Sequence, residues 1–308
     1  MRILITGAAG FIGSNLVERL LRDGHHVIGL DNLSSGKLEF LNKSLKNSKF
    51  EFYRVDLIKD DISEYFHNVD EVWHLAANAE VRKYNMHIFM EQVEMTRRVL
   101  NAMEKTDVKK IIFTSSSVVY GEALTDGKPT KEEHPFLPIS LYAASKIASE
   151  ALIEAWSALN NTKAWVFRLA NVVGPRATHG VIFDFVKKLK ENPKELEILG
   201  NGNQRKSYIY VDDCIDAMLI GRNKSNMNVN IFNIGSEDWI TVKEIAEIVS
   251  KVMGLRPEFK FTGGDRGWPG DVPLMKLDIS KIRSLGFRPR LSSKEAVERT
   301  ATWLLNYL

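Results

Sequence analysis

The chain has 308 residues, with 42 lysines and arginines against 39 aspartates and glutamates, and one cysteine, Cys214. A formal net charge of +3 with 44% hydrophobic residues excludes a disordered chain and the basic excess of a nucleic-acid-binding protein, so any cationic role must be local. The cysteine count excludes an internal disulfide framework, the histidines show no metal-ligand spacing, and no apolar run reaches the roughly 20 residues that span a bilayer. The first residues run straight into a glycine turn at Gly7 with no signal-peptide core. The expectation is a soluble cytoplasmic protein of one large or two ordinary domains, without metal and with neither nucleic acid nor membrane as a partner.

Arg2–Thr6 is an apolar, β-branched run that leads into Gly7-Ala8-Ala9-Gly10-Phe11-Ile12-Gly13 and then into helical spacing at Leu16, Val17, Leu20 and Leu21. Strand, glycine turn and helix in that order let backbone N–H groups approach a pyrophosphate at the positive end of the helix, although the same glycines would serve a plain turn. A second strand at 27–30 ends at Asp31, close to the roughly 20-residue offset at which a carboxylate receives the adenine ribose hydroxyls. A carboxylate there repels a 2′-phosphate and so favours NAD over NADP. As a turn residue before Asn32 it would merely cap.

A third strand at 50–55 ends at Asp56-Leu57 and a fourth at 71–75 ends at Ala76-Ala77. Both ends belong at the carboxyl edge of one parallel sheet, where doubly wound folds bind ligands. Asp56 and Leu57 are therefore candidates for the adenine, and Ala76 and Ala77 for close backbone approach to the cofactor. A capped or close-packed strand end would read the same way. His74, inside an apolar strand, reads as a satisfied core histidine.

Residues 86–105 predict a long helix, and 111–114 a fifth strand ending in Ser115-Ser116-Ser117, hydroxyls placed to orient a substrate or to form a turn. Beyond Pro135 and Pro138 a helix begins at Leu141-Tyr142-Ala143-Ala144-Ser145-Lys146 and continues past Trp156. Tyr142 and Lys146 share one face of it. A lysine charge favours the phenolate and can bring a phenol whose free pKa is about 10 within reach of general-base work near neutrality. A sixth strand at 164–169 follows.

The second half mixes helices at 181–190, 242–252 and 295–305 with short strands at 196–199 and 231–234, separated by Gly- and Pro-rich loops. Asp212-Asp213 read as the cap of a helical pattern at 214–220 rather than as a paired-carboxylate site. The doublets Asp60-Asp61 and Glu132-Glu133 read as solvated surface.

Taken together, Gly7 to Gly13, Asp31, Asp56-Leu57, His74-Leu75-Ala76-Ala77, Ser115 to Gly121, Tyr142-x-x-x-Lys146 and Arg168 to Pro175 resemble the extended short-chain dehydrogenase/reductase family acting on nucleotide sugars, over nearly the whole chain. Later stretches, Gly200 to Asp213, Asn233 to Ser236 and Gly264 to Pro273, resemble the members that invert C4 of a UDP-hexose. The resemblance implies an α/β fold. A doubly wound (Rossmann) parallel sheet over 1–172 would bind NAD, and a smaller mixed α/β domain over 173–308 would bind the nucleotide sugar, with some segments returning to the large sheet.

It also implies roles. NAD would be held by Gly7, Gly10, Phe11, Ile12, Gly13, Asp31, Asn32, Ser35, Gly36, Asp56, Leu57, Leu75, Ala76, Ala77, Gln92, Ser115, Tyr142 and Lys146. Ser116, Tyr142 and Lys146 would be catalytic. Ser116, Tyr142 and Asn171 would meet the UDP-sugar substrate, with Lys206 or its neighbour Arg205 at the diphosphate, Asp271 near the uridine ribose and Met275 beside the C2 substituent. The chain departs from the family pattern at Trp268, where an arginine is expected and Arg266 would substitute, and at Gln92, where an asparagine is common. Ser117 and Val118 replace the acids that dehydratases and decarboxylases resembling this chain carry beside the catalytic hydroxyl. The implied reaction is thus oxidation at C4 and reduction back on retained NAD. A nucleotide-sugar reductase or dehydratase of the same family is the nearest rival, and a non-catalytic NAD or nucleotide sensor the rival from another class. The resemblance further implies a homodimer paired through the helices at 86–105 and 143–159.

Overall fold

Strands rich in Val, Ile and Leu that are buried on both faces form a parallel sheet, because only covering helices satisfy both sides. The computed structural model describes residues 1–78, 85–124 and 128–308. The chain divides into two units, the first Met1–Val119, Ser140–Arg168 and Gly221–Phe232, the second Tyr120–Ile139, Leu169–Ile220 and Asn233–Leu308.

In the first unit β1 (Arg2–Thr6), α1 (Phe11–Arg22), β2 (His26–Asp31), β3 (Phe50–Arg54), β4 (Glu71–His74), α2 (Met86–Thr106), β5 (Lys110–Ser116), α3 (Leu141–Leu159) and β6 (Lys163–Leu169) follow one another. They build a parallel sheet of order β3-β2-β1-β4-β5-β6, extended past β6 by a seventh strand, Val229–Ile234. Residues 231–234, predicted as a short strand of the second half, thus belong to an edge strand of the large sheet. The order reverses between β1 and β4, whose register runs Ile3↔Glu71 to Thr6↔His74. The loops after these two strands therefore flank the topological switch point at which such sheets bind ligands. Leu4, Ile28, Val72, Phe113 and Val166 of the strands pack with Val99, Leu100 and Met103 of α2 and Ile153 of α3. Glu71 is buried at the start of β4, and its carboxylate accepts from Trp73 Nε1 at 2.9 Å and from Arg222 Nε at 2.8 Å.

The second unit continues with β7 (Asn171–Val173), α4 (Val181–Glu191), β8 (Glu195–Ile198), β9 (Arg205–Lys206), β10 (Tyr208–Tyr210) and α5 (Val211–Lys224). The edge strand already described is β11, after which come β12 (Ile240–Thr241), α6 (Val242–Val252), β13 (Glu258–Phe261), β14 (Leu274–Met275), α7 (Ser280–Ser284) and α8 (Ser293–Tyr307). Its strands form small sheets, β10-β7, β12-β9-β14 and β13-β8. Their core is the packing of Phe185 and Leu189 of α4, Ile245 and Val249 of α6, and Val297 and Leu304 of α8. Thr241 with Glu244, and Ser292 with Glu295, close capping boxes that start α6 and α8.

Two readings of acidic doublets are corrected. Asp212-Asp213 do not precede the helix, because α5 begins at Val211 and puts them in its first turn. Asp213 instead accepts from the Arg290 and Leu291 amides at 2.9 and 3.2 Å and from Arg290 Nε at 2.6 Å. Glu132 accepts from the Asn233 amide at 2.8 Å and is not merely solvated. Among the described residues no helix is long and apolar enough to cross a membrane.

Candidate active site

The loop after β1 is folded by its glycines. Gly7 has φ of +72°, and a β-carbon there would lie 2.8 Å from the Ala76 amide nitrogen, so the β1 and β4 loops approach as backbone against backbone. Gly10 is the N-cap of α1, with no side-chain cap and no acid in the first turn. The leading N–H groups of Phe11, Ile12 and Gly13 are thereby left to an external anion. Leu75 and Ala76 are tied back to Thr6, by Leu75 N to Thr6 O at 3.2 Å and Ala76 N to Thr6 Oγ1 at 3.2 Å.

Asp31 ends β2. Its Oδ2 accepts from the Ala9 amide at 2.9 Å and its Oδ1 from the Leu33 amide at 2.8 Å, while burial pushes its carboxyl up from the usual range. A β-carbon on Gly36 would stand 2.9 Å from Asp31 Oδ2. Asn32 Nδ2 donates to Asp56 Oδ2 at 3.5 Å, Asp56 Oδ1 accepts from the Ile58 amide at 3.0 Å, and Leu57 is buried beside them. The loops after β1, β2 and β3 thus bring the predicted adenine and ribose residues to one sheet edge. Ser35 is exposed in the same loop, with no polar contact drawn to the others.

The predicted catalytic residues also lie in the first unit. Ser116 ends β5, and its Oγ accepts from the Val118 amide at 3.4 Å. Ser140 caps α3 by accepting from the Ala143 amide at 3.1 Å, which sets Tyr142 in the opening turn and Lys146 one turn further on. Lys146 is buried, donates to the Thr114 carbonyl at 2.8 Å, and its Nζ stands 5.7 Å from the centre of the Tyr142 ring and 4.7 Å from that of Phe113. Burial dominates both groups, pushing the Tyr142 phenol up to about 12 and Lys146 down to about 7, with Glu150 opposing the second shift. In the protein alone the desolvation of the phenol opposes the charge effect that the sequence predicts for Lys146.

In the second unit a separate cluster forms. Lys206 Nζ meets Asp271 Oδ1 at 2.5 Å, Arg266 Nη1 donates to the Asp271 carbonyl at 2.8 Å, and the Gly267 amide donates to Asp271 Oδ2 at 2.9 Å. Met275 is opposite Lys206 in the β14–β9 register. Asn171 Nδ2 donates to the Ser207 carbonyl at 3.2 Å.

Residues 3–235 match the model of the NAD dependent epimerase/dehydratase family. This chain belongs to that family. It is 33% identical to the UDP-glucose 4-epimerase of Mycolicibacterium smegmatis over 99% of both chains. A crystal structure of a UDP-galactose 4-epimerase superposes with a TM-score of 0.90 at 41% identity over 100% of both chains. A UDP-glucuronic acid 4-epimerase from Bacillus cereus, crystallised with UDP-glucuronic acid and NAD, superposes with a TM-score of 0.91 at 28% identity, again over 100% of both chains.

As a member of this epimerase/dehydratase family the protein is an NAD-dependent enzyme acting on nucleotide sugars. The first unit fits the cofactor on its own evidence. Both polar ends of the Gln92 amide and the Ser115 hydroxyl are buried without a hydrogen-bond partner among the described residues, groups that a polar ligand would satisfy. A β-carbon on Gly13 would stand 2.0 Å from the Gly7 carbonyl oxygen, so the turn leaves backbone alone facing the phosphate position.

Not every predicted residue joins its group. Successive strand residues point to opposite faces. The register Lys206↔Met275 and Arg205↔Leu274 therefore puts Arg205 on the face opposite Lys206, where its guanidinium lies 5.1 Å from the Trp239 ring. Sequence reasoning also missed a buried pair beside Lys146. Arg168 binds Glu150 through Nε at 3.2 and 3.1 Å and Nη2 at 2.7 Å. The available signal was a third ionisable residue in the i, i+4, i+8 series that Tyr142 and Lys146 begin.

Proposed function

We propose that this enzyme is a UDP-glucose 4-epimerase, interconverting UDP-galactose and UDP-glucose on NAD that stays bound through the turnover. The observation that carries the reading is the Tyr142–Lys146 pair on the opening turns of α3, with Lys146 anchored on Thr114 O at 2.8 Å. Dehydratases and decarboxylases of the family carry another acid beside the catalytic hydroxyl, where this chain has Ser117 and Val118, and a reductase would have to exchange its reduced cofactor.

Tyr142 takes the proton of the sugar's 4-hydroxyl and later returns it. Ser116 holds that hydroxyl in line. NAD, when bound, would supply the acceptor and donor of the C4 hydride and a positively charged ring. The 4-keto sugar turns over between the two transfers, so the hydrogen returns to the opposite face and C4 is inverted. Because burial holds the phenol near 12, proton abstraction at neutral pH needs positive charge at the phenol, and Lys146 is the side chain that supplies it. Gly7, Gly10 to Gly13, Asp31, Asn32, Ser35, Gly36, Asp56, Leu57, Leu75 to Ala77, Gln92 and Ser115 are assigned to the cofactor. In the second unit Asn171, Lys206, Arg266 and Asp271 are assigned to the nucleotide part, whose binding leaves the hexose free to rotate, and Met275 to the side of the pocket that faces the C2 substituent. Lys206 is preferred over Arg205 for the diphosphate because it shares a strand face with Met275. The enzyme is further proposed to be a homodimer paired through α2 and α3.

The test is purified protein given UDP-galactose and no added cofactor, scored for UDP-glucose, beside Tyr142→Phe. Product from the wild type and a loss of about 10²- to 10⁴-fold in the variant are expected, the usual worth of a general base. Absence of product, conversion of UDP-glucuronate in its place, or a variant at full rate overturns the assignment.

A further inference from the structure

Lys146 is 2% exposed and has no water to stabilise its charge. Its hydrogen bond to the Thr114 carbonyl does not settle the matter, since a neutral amine donates as well as an ammonium does. The ionisable groups around it come from several elements. His74 of β4 is held down to about 3 by burial and is neutral. Tyr142, one turn back on α3, is a neutral phenol near 12. β5 contributes Phe113 and Thr114, neither of which titrates. Among the described residues that leaves Glu150, one turn forward on α3 and 1% exposed, as the carboxylate whose field favours the ammonium.

Glu150 is itself fixed. Arg168 of β6, 2% exposed, engages both of its oxygens. This engagement by the guanidinium fixes the carboxylate one turn along α3 from Lys146. Tyr142, Lys146 and Glu150 therefore form one column on α3, with β6 anchoring its far end.

We propose that Glu150, clamped by Arg168, is a positioning residue that keeps Lys146 charged and so sets the pH range over which Tyr142 accepts a proton. This rests on Tyr142 and Lys146 carrying the proton transfer as described above, and it adds a buried counter-charge and its holder to that site. An isosteric neutral side chain at 150 lets Lys146 lose its proton at lower pH, and the alkaline limit of activity moves down with it.

Two measurements test the idea. In protein carrying lysine labelled with ¹³C at Cε, the Lys146 resonance, assigned by its loss in Lys146→Met, gives the lysine's titration midpoint with no substrate present. Glu150→Gln is expected to lower that midpoint by about one unit, a roughly tenfold smaller charged fraction above it, while Glu150→Asp, which keeps the charge, leaves it close to wild type. Turnover is then followed against pH on whichever UDP-hexose the wild type converts. Glu150→Gln should lose about ninefold in rate at pH 8 but only about twofold at pH 6, with Glu150→Asp tracking the wild type. A midpoint unmoved by Glu150→Gln, or an equal loss of rate at both pH values, overturns the proposal. If Glu150→Gln fails to fold because Arg168 is left buried and unpaired, the paired exchange with Arg168→Gln removes both charges and is held to the same midpoint. A wild type that converts no UDP-sugar refutes the proposed function, whereas the titration stands or falls independently of it.

Discussion

A β-carbon on Gly13 would sit 2.0 Å from the Gly7 carbonyl oxygen, so Gly13→Ala has to push the start of α1 away from the turn. Overpacking of this kind costs on the order of 1–3 kcal/mol. It also moves the N–H groups that face the phosphates, so the variant should purify with little bound NAD, measured by acid release, at a fold still intact by circular dichroism. Wild-type cofactor content in Gly13→Ala would show that the turn is no cradle. His74 makes a second, pH-dependent case. Its Nδ1 lies 2.8 Å from Thr6 Oγ1 and its Nε2 3.2 Å from Thr96 Oγ1, and since Thr96 gives its own proton to the Gln92 carbonyl at 3.0 Å, Thr96 accepts from Nε2 and Nδ1 accepts from Thr6. Burial lowers its pKa to about 3 from 6.5. Below 6.5 the unfolded chain takes a proton that the folded chain refuses, so this group's contribution is complete above that pH and is lost toward pH 3 at about 1.4 kcal/mol per unit. His74→Gln should be less stable than wild type at pH 7.5 by denaturant melts, and the gap should narrow by pH 4.5. A constant gap would mean that His74 titrates normally.

At the level of elements, α3 connects local sequence to chemistry. Ser140 accepts from the Ala143 amide at 3.1 Å, and loss of such a cap costs about 1 kcal/mol. Since Tyr142 lies in the turn that this cap starts, Ser140→Ala should lower both the melting temperature and kcat, whereas Ser140→Thr or Ser140→Asp should restore both. A drop in melting temperature with kcat untouched would uncouple the cap from the tyrosine. The strands and helices of the first unit were readable because each pairs a long apolar period with glycine or proline punctuation, as Arg2–Thr6 and Gly7 to Gly13 do. The second unit was less so. β9, β12 and β14 are two residues each, too short for any alternation to register, and their pairing joins segments far apart in sequence. Whether Arg205 or Lys206 shares a face with Met275 was therefore undecidable before the register was known. The Glu150–Arg168 pair escaped for a different reason: charged residues spaced along a helix normally read as its solvated side, and burial is a tertiary fact.

For the whole molecule the open matter is what covers α3. Its inner face buries Ala143, Lys146, Glu150 and Ile153. Its outer face exposes Ala151, Ala155 and Leu159, Leu159 at 85%, while Met86 and Met90 of α2 are exposed at 52% and 58%. Contiguous exposed apolar surface of this kind marks an interaction site. The two helices pack on each other, and at about 30 Å in length and about 10 Å in width apiece they offer a patch on the order of 600 Å², near the roughly 800 Å² per partner of a stable interface. With a net charge of only +3, long-range repulsion opposes self-association weakly. The proposed homodimer through α2 and α3 therefore predicts twice the chain mass by light scattering. Ala151→Glu combined with Met90→Lys, both on exposed helix surface where a lone substitution changes stability by no more than about 0.5 kcal/mol, should give a folded monomer. A wild type already monomeric at micromolar concentration, or a double variant still dimeric, would move the interface elsewhere and leave the exposed apolar residues of α3 in need of another cover.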